Sequence, residues 1–466
     1  MKTFFAEQAW INGAWARDVL LQVDAAGRWC GVQADAPVAQ RAGATLLSGP
    51  VLPGLVNAHS HAFQRAIAGL TERQGVAGGV DDFWSWRERM YSAALRITPE
   101  QLEAIAALLY AELLAGGYTQ VCEFHYLHHG VAGAADPLQM SLALVRAAQR
   151  VGMGLTLLPT LYMRSGFGAS GLREDQRRFA CTPERLMRLV EGVQRQTQAL
   201  DQIHIGVAIH SLRAVAPAAL HEIAAFAQSG GLPVHIHIAE QTQEVQDCIA
   251  HTGQRPIEWL LQQVALDARW NLVHATHTTP DELQAVSTSG AAIVICPSTE
   301  ANLGDGVFDY TGYARAGGRW SIGSDSHVTR AWSEELRLLE YSLRLTQRRR
   351  NVAAHDGSAS TAAALFEGAL AGGGSASGLA LGAIAAGQRA DFLVLDATAP
   401  ALLGLPAEQT LDALVFSSPS APCQEVFVAG RQVVRQGLVS AAAGTGASWP
   451  ELARAYTQAM QALWPR

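Results

Sequence analysis

Eight short apolar runs punctuate the chain between residues 51 and 327, most of them flanked by stretches with helical spacing. They are "VLPGLVNAH" from Val51, "YTQVCEFH" from Tyr118, "GMGLTLLPTLY" from Gly152 and "IHIGVAIHS" from Ile203. Then come "LPVHIHIAE" from Leu232, "WNLVHATH" from Trp270, "AAIVICPST" from Ala291 and "RWSIGSDSH" from Arg319. Continuous apolar runs, rather than strict alternation, are what strands buried on both faces require. Three intervening segments open alike: "TPEQLEAIAALLYAELLAGG", "TPERLMRLVEGVQRQTQAL" and "TPDELQAVSTSG". Each offers Thr as N-cap, Pro at the first helical position and an acid in the first turn, and the first ends on Gly116 and Gly117. Strand and helix alternating in this way predict an α/β fold, a (β/α)8 TIM-like barrel. A doubly wound open sheet is the competitor, but no glycine-rich phosphate fingerprint follows the first run.

The two ends read differently. Residues 3–50 carry short alternating runs around "INGAW" and "DAAGRW", and residues 384–440 carry "ADFLVLDA" and "EVFVAGRQVVRQG". Both patterns suit hairpins and tight turns. The expected organisation is a small β-sandwich domain built from both chain ends, residues 1–50 and 381–445, around a barrel at 51–380, with a C-terminal helix at 446–466. Residues 357–387 are rich in Ala, Gly and Ser, a composition that reads as a linker, although "TAAALFEGALAGG" has helical spacing.

Composition narrows the function. With 466 residues, 49% hydrophobic and 16% charged, the chain can fill a large core, and disorder is not expected. No apolar run reaches the roughly 20 residues of a membrane-spanning helix. The opening "MKTFFAEQAWING" lacks a long apolar segment and a cleavage site, so a soluble, cytoplasmic protein without membrane partners is expected. Six scattered cysteines with no C-x-x-C pair argue against a disulfide framework or a thiolate zinc site. A net charge of −7 leaves no footprint for nucleic acid, and Arg348 to Arg350 read as a solvated helix end. Lys2 is the only lysine, so a mechanism needing lysine inside the barrel is excluded. A homodimer is expected on base rates alone.

Chemistry gathers where the runs end. His59 and His61 close the first, His125 and Tyr126 the second and His210 the fourth. His237 and Glu240 close the fifth, His274 and His277 the sixth, Asp325 and His327 the eighth. In a parallel barrel these ends share one mouth, where active sites form. Residues at i and i+2 of a strand share a face, so His59 and His61 can reach one ion. An isolated pair would more often be structural; the recurrence at six run ends points to a site instead. A catalytic zinc takes three or four N/O ligands and keeps a position for water. His59, His61, either His235 or His237, and Asp325 could supply them. Histidine and carboxylate without thiolate suit Zn2+, with Fe2+ the alternative. Glu240 stands where a carboxylate can move protons beside the metal.

These residues resemble the amidohydrolase superfamily. The marks are "NAHSH" after the first strand, His237 with Glu240 after the fifth, His274 after the sixth and "GSDS" after the eighth. "VLPGLVNAHSH" is similar to that superfamily's entry into its barrel, and "GQRADFLVLD" to its return into the β domain. The resemblance implies one divalent metal held by His59, His61, His237 and Asp325. It also implies that Asp325 takes a proton from water activated at the metal, that Glu240 relays protons and that His274 orients nucleophile or substrate. The single lysine excludes binuclear members with a carbamylated lysine bridge and leaves the mononuclear deaminase branch. Within it, "DDFWSWRERMY", "HSLRAV" and "CPSTEANLGDG" resemble the formimidoylglutamate deiminases of histidine degradation, which release ammonia from N-formimino-L-glutamate.

A small anionic substrate of that kind needs guanidinium groups in bidentate geometry, with hydroxyl or amide donors beside them. Arg213, close after His210, and Arg87, between Trp84 and Trp86 in the loop after the first strand, are the candidate carboxylate binders. Gln64, Tyr126 and His210 are further candidate substrate contacts. The alternatives are a purine, pterin or thioadenosine deaminase, for which Trp84 and Trp86 could stack on a ring, or a barrel turned into a non-catalytic scaffold, which would have lost ligands.

Overall fold

The computed structural model describes residues 1–73, 82–131, 137–355, 357–439 and 446–465. Asp81 of the "DDFWSWRERMY" segment, residues 440–445 and Arg466 lie outside the described residues.

All eight apolar runs contain strands. The barrel strands are Leu55–Ser60, Tyr118–His125, Gly154–Leu161, Val207–Ser211, Val234–Ile238, Trp270–His274, Ala292–Ile295 and Arg319–Ile322. They pair in parallel and in chain order. A bridge between Ser60 and Asp325 brings the last strand back to the first. There the Asp325 N–H donates to the His59 carbonyl at 3.0 Å and the His61 N–H to the Asp325 carbonyl at 3.2 Å. Closure is thus made by residues of the candidate site, which ties barrel and chemistry together. Two runs are broken by glycine. Gly54 splits the first, sending Val51–Pro53 into the other sheet. At Gly206, between Ile203–Ile205 and Val207–Ser211, a β-carbon would stand 2.6 Å from Leu158 and 2.7 Å from Pro233.

The three Thr-Pro segments are the helices Pro99–Ala115, Pro183–Thr197 and Pro280–Ser289. Thr98, Thr182 and Thr279 each accept a hydrogen bond from an N–H of the first turn, a cap that contributes about 1 kcal/mol. The segment that composition reads as a linker is largely the helix Thr361–Ser377, capped by Ser360. It packs against the first and last barrel strands and forms the barrel floor. Its small residues serve close approach, not flexibility: β-carbons at Gly368 and Gly372 would run into Trp320, and one at Gly373 into Val56. Polar side chains of the barrel interior end on its carbonyls. Thr156 Oγ1 donates to Ser377 at 3.0 Å, Ser321 Oγ to Ala369 at 3.2 Å, and His235 Nε2 lies 2.8 Å from the Ala376 carbonyl.

Both chain ends meet in one mixed sheet of nine strands, with Val51–Pro53 between Lys2–Ile11 and Phe392–Leu395. Cys423–Val428 lies beyond Phe392–Leu395. Phe4 nevertheless packs edge-on against both Phe392 and Phe427, at 5.4 and 5.5 Å. In a flat sheet three strand spacings would separate Phe4 from Phe427 by about 14 Å. The sheet therefore curls over its own core, giving sandwich-like packing from a single sheet. The helix Trp449–Leu463 packs on Pro99–Ala115, where Arg65 donates to the Tyr456 hydroxyl at 3.1 Å. Among the described residues no helix is long and apolar enough to cross a membrane.

Two buried histidines outside the lining of the candidate catalytic cavity set an acid limit on the fold. Burial pushes His235 down to about 4, against the raising effect of the Ala376 carbonyl, and His128 likewise to about 4, against that of Thr160. The unfolded chain, whose histidines titrate near 6.5, then binds more protons than the native one below that value. Stability from both groups is present above about pH 6.5 and is lost as pH falls toward 4. Urea unfolding is expected to show a falling midpoint from pH 7 to pH 5, with a shallower fall in His235→Gln; equal slopes would contradict this reading.

Candidate functional site

The strand ends converge as the alternation requires. His59 and His61 point inward from the first strand and its exit, and His59 Nε2 lies 3.0 Å from His237 Nε2 on the fifth. Asp325 Oδ1, just past the eighth strand, is 3.4 Å from His59 Nε2 and 3.3 Å from His61 Nε2. All four side chains are buried. His61 Nδ1 faces the Phe124 carbonyl and His237 Nδ1 the His210 carbonyl, each at 2.9 Å. Both rings therefore carry their proton on Nδ1 and turn the Nε2 lone pair to the centre. Burial drives His59 down to about 3, against its hydrogen bond to Asp325, and lowers His61 as well. His237 is held well below its ordinary value by burial and by the neighbouring imidazoles. Burial alone would raise the Asp325 carboxyl, but the hydrogen bond from His59 and the charge of the nearby His274 hold it below the usual carboxylate range.

Three neutral imidazoles and one carboxylate on a common point fit a divalent metal. Tetrahedral bonds of about 2.05 Å place ligand atoms about 3.3 Å apart, and the separations here run from 3.0 to 3.4 Å. The groups His59, His61, His237 and His59, His274, Asp325 each bring ligand atoms within 4.8 Å of one another. His235, open as an alternative in the sequence, lies two residues lower on the same strand face and is bonded to the floor helix.

The strand ends are locally strained. Ala239, His274, Ala275, Asp325 and His327 are five of the twelve non-glycine residues with positive φ among those described, a conformation that costs about 1–3 kcal/mol each. Hydrogen bonds hold it, such as Ala275 N–H to the Ile238 carbonyl and His277 N–H to the Ala239 carbonyl, both at 3.0 Å. Glycine is required at 323, where a β-carbon would stand 2.6 Å from His59 Cβ.

Around the four lies a second set. His274 Nε2 is 3.8 Å from both Glu240 Oε1 and Asp325 Oδ2, and its Nδ1 is 3.2 Å from Glu300 Oε1. Burial would lower His274, but Glu240, the Glu300 hydrogen bond and Asp325 raise it to about 10. Burial raises Glu240 to about 6, with His274 opposing. Imidazolium and carboxylate thus sit side by side with displaced affinities, an arrangement able to pass protons.

All five candidate substrate contacts, Gln64, Arg87, Tyr126, His210 and Arg213, line one cavity with His61, His237, Glu240, His274 and Asp325. Gln64 Nε2 donates to the Tyr126 hydroxyl at 3.0 Å, and His210 stacks on Tyr162 at 4.1 Å. Arg87 lies on the helix Phe83–Ala94, its guanidinium 4.3 Å over the Trp84 ring. Trp84 therefore backs an arginine and does not line the cavity, whereas Trp86 does. Arg213 Nη1 is 3.4 Å from Glu244 Oε2, with no hydrogen-bond partner. Three other strand-end histidines do not converge. His125 packs on His128, His277 stands at the rim beside Gly306, and His327 Nε2 lies 3.1 Å from the His61 carbonyl.

Sequence reasoning missed the supporting carboxylates. Glu123 accepts from Ser60 Oγ at 2.7 Å and from the Ala62 N–H at 2.6 Å, pinning the segment that carries His59 and His61. Glu300 accepts from the Cys296 N–H at 2.9 Å as it holds His274. Glu300 falls inside "CPSTEANLGDG", just past the seventh run, so its place at the mouth was the available signal.

Residues 51–433 match the amidohydrolase family, and the chain belongs to that family. It is 47% identical to the formimidoylglutamate deiminase of Pseudomonas aeruginosa over 440 residues, 94% of this chain and 95% of that protein. The 5-methylthioadenosine/S-adenosylhomocysteine deaminase of Natronomonas pharaonis is more distant, 25% identical over 82% of this chain and 81% of its own. The crystal structure of an amidohydrolase from Brucella melitensis superposes with a TM-score of 0.91 at 42% identity, covering 99% of this chain and all of that one.

Proposed function

We propose that the protein is a metal-dependent hydrolase that converts N-formimino-L-glutamate to N-formyl-L-glutamate and ammonia. The carrying observation is the 47% identity to a formimidoylglutamate deiminase along nearly the whole of both chains. The cavity agrees with it, because two guanidinium groups, Arg87 and Arg213, share its wall with the His and Asp cluster. A substrate with two carboxylates supplies partners for both. Of the two tryptophans that could stack on a purine, only Trp86 lines the cavity, while Trp84 is covered by Arg87.

The proposed ligands are His59, His61, His237 and Asp325, and the donor set favours Zn2+. A bound divalent ion lowers the pKa of water toward about 7 and supplies Lewis acidity. Arg213 and Arg87 grip the two carboxylates and so set the formimino carbon above Asp325. Asp325 accepts the proton as water adds to that carbon. Glu240 carries a proton to the departing nitrogen, which leaves as ammonia. His274, fixed by Glu300, donates toward the attacking oxygen. Gln64, Tyr126 and His210 complete the wall and exclude bulk water.

Glu240→Gln is expected to lower kcat by about 10²- to 10⁴-fold while KM and bound metal stay near wild type. Steady-state ammonia release with metal analysis checks this, and an unchanged kcat would remove Glu240 from proton transfer. The substrate assignment is tested with N-formimino-L-glutamate, N-formimino-glycine, adenosine and guanine side by side. Turnover confined to the glutamate derivative is the expected result; turnover of a purine without it would overturn the assignment.

A further inference from the structure

A second cavity, of about 600 Å3, opens at the other end of the barrel, in the seam with the small sheet. Its walls come from the segments entering the third and fourth barrel strands, the chain leaving the floor helix, and the sheet itself. The catalytic cavity lies at the opposite strand ends, so the two are separated by the length of the barrel.

The chain carries 34 Lys and Arg against 41 Asp and Glu, yet this lining is cationic. Lys2, Arg28, Arg389 and Arg431 face the cavity, and Asp201 is the one carboxylate in its lining among the described residues. The single lysine of the sequence is therefore here. Lys2 Nζ donates to the Gly430 carbonyl at 2.8 Å and Arg28 Nη1 to the Gly387 carbonyl at 3.0 Å, contacts that fix both side chains without neutralising them. Arg389 has a side chain only 10% exposed and is held by Asp391 at 2.9 and 2.6 Å, so it lines the cavity as half of an ion pair. Lys2, Arg28 and Arg431 are the cations left without a carboxylate partner in the lining among the described residues. Like charges around one concavity repel each other, and a bound anion removes that cost while meeting several donors at once. The volume is that of a small-molecule pocket.

We propose that this seam cavity binds a small multivalent anion, a phosphate ester or a polycarboxylate, apart from the catalytic site. The ligand bridges barrel and sheet, so it stabilises the folded chain in proportion to its occupancy.

The test uses the full-length protein, with inorganic phosphate and tricarballylate as probes, followed by calorimetric titration and thermal unfolding. At least one probe is expected to bind saturably and raise Tm. The double variant R28Q/R431Q is expected to weaken that binding at least tenfold, with turnover in the absence of either probe unchanged, since neither residue lies at the catalytic cavity. Phosphate alone binding points to a phosphorylated ligand, and tricarballylate alone to a polycarboxylate. Should the double variant not fold, Lys2→Gln at the exposed second residue carries the same expectation. Binding of neither probe, or equal binding to wild type and variant, would overturn the proposal.

Discussion

Asp325→Asn is expected to lose at least about 10⁴-fold in kcat/KM, some 5.5 kcal/mol of transition-state stabilisation. The substitution keeps shape and leaves the main-chain bridge between His59 and Asp325 in place. It removes the carboxylate that lies 3.3 to 3.4 Å from two imidazoles. An amide neither takes a proton from water nor supplies negative charge to a cation in that nest, so both proposed roles fail together. Steady-state ammonia release, with Tm as a check on folding, measures the effect. A variant that folds normally and retains activity within tenfold of wild type would remove Asp325 from the chemistry.

The second large effect separates two histidines on one strand. His237→Asn is expected to lose bound metal after dialysis, its affinity falling by more than the roughly 100-fold seen for outer-shell partners, and turnover with it. His235→Asn is expected to keep one metal per chain and kcat within a few-fold, while its unfolding midpoint drops because the Ala376 carbonyl loses its partner. Metal analysis of both variants decides the matter. The reverse pattern, metal lost with His235 and kept with His237, would overturn the ligand set.

Much of this was legible in the sequence because barrel strands advertise themselves twice. Buried on both faces, they read as continuous apolar runs, and their ends at the mouth carry the ionisable residues that the core cannot hold unpaired. The run holding His235 and His237 shows the limit. Both residues face inward at period two; the spacing to Glu240 favours His237, and the structure shows what becomes of the lower one, to which the floor helix presents the Ala376 carbonyl. That helix was itself obscured, since glycines that admit Trp320 and Val56 have the composition of a linker. Glu123 gave no signal, and Glu300 only its place at the mouth, for a related reason. Their roles depend on which neighbour's strand end they reach, a matter of three-dimensional closure rather than of spacing along the chain.

The central claim is a single metal centre that performs hydrolysis. Its most direct test is the rate of ammonia release from N-formimino-L-glutamate as metal-free protein is titrated with zinc. The rate should climb linearly and level off at one equivalent per chain, with His237→Asn flat throughout. Activity independent of added metal, or a plateau only at two equivalents, would contradict the centre built from His59, His61, His237 and Asp325.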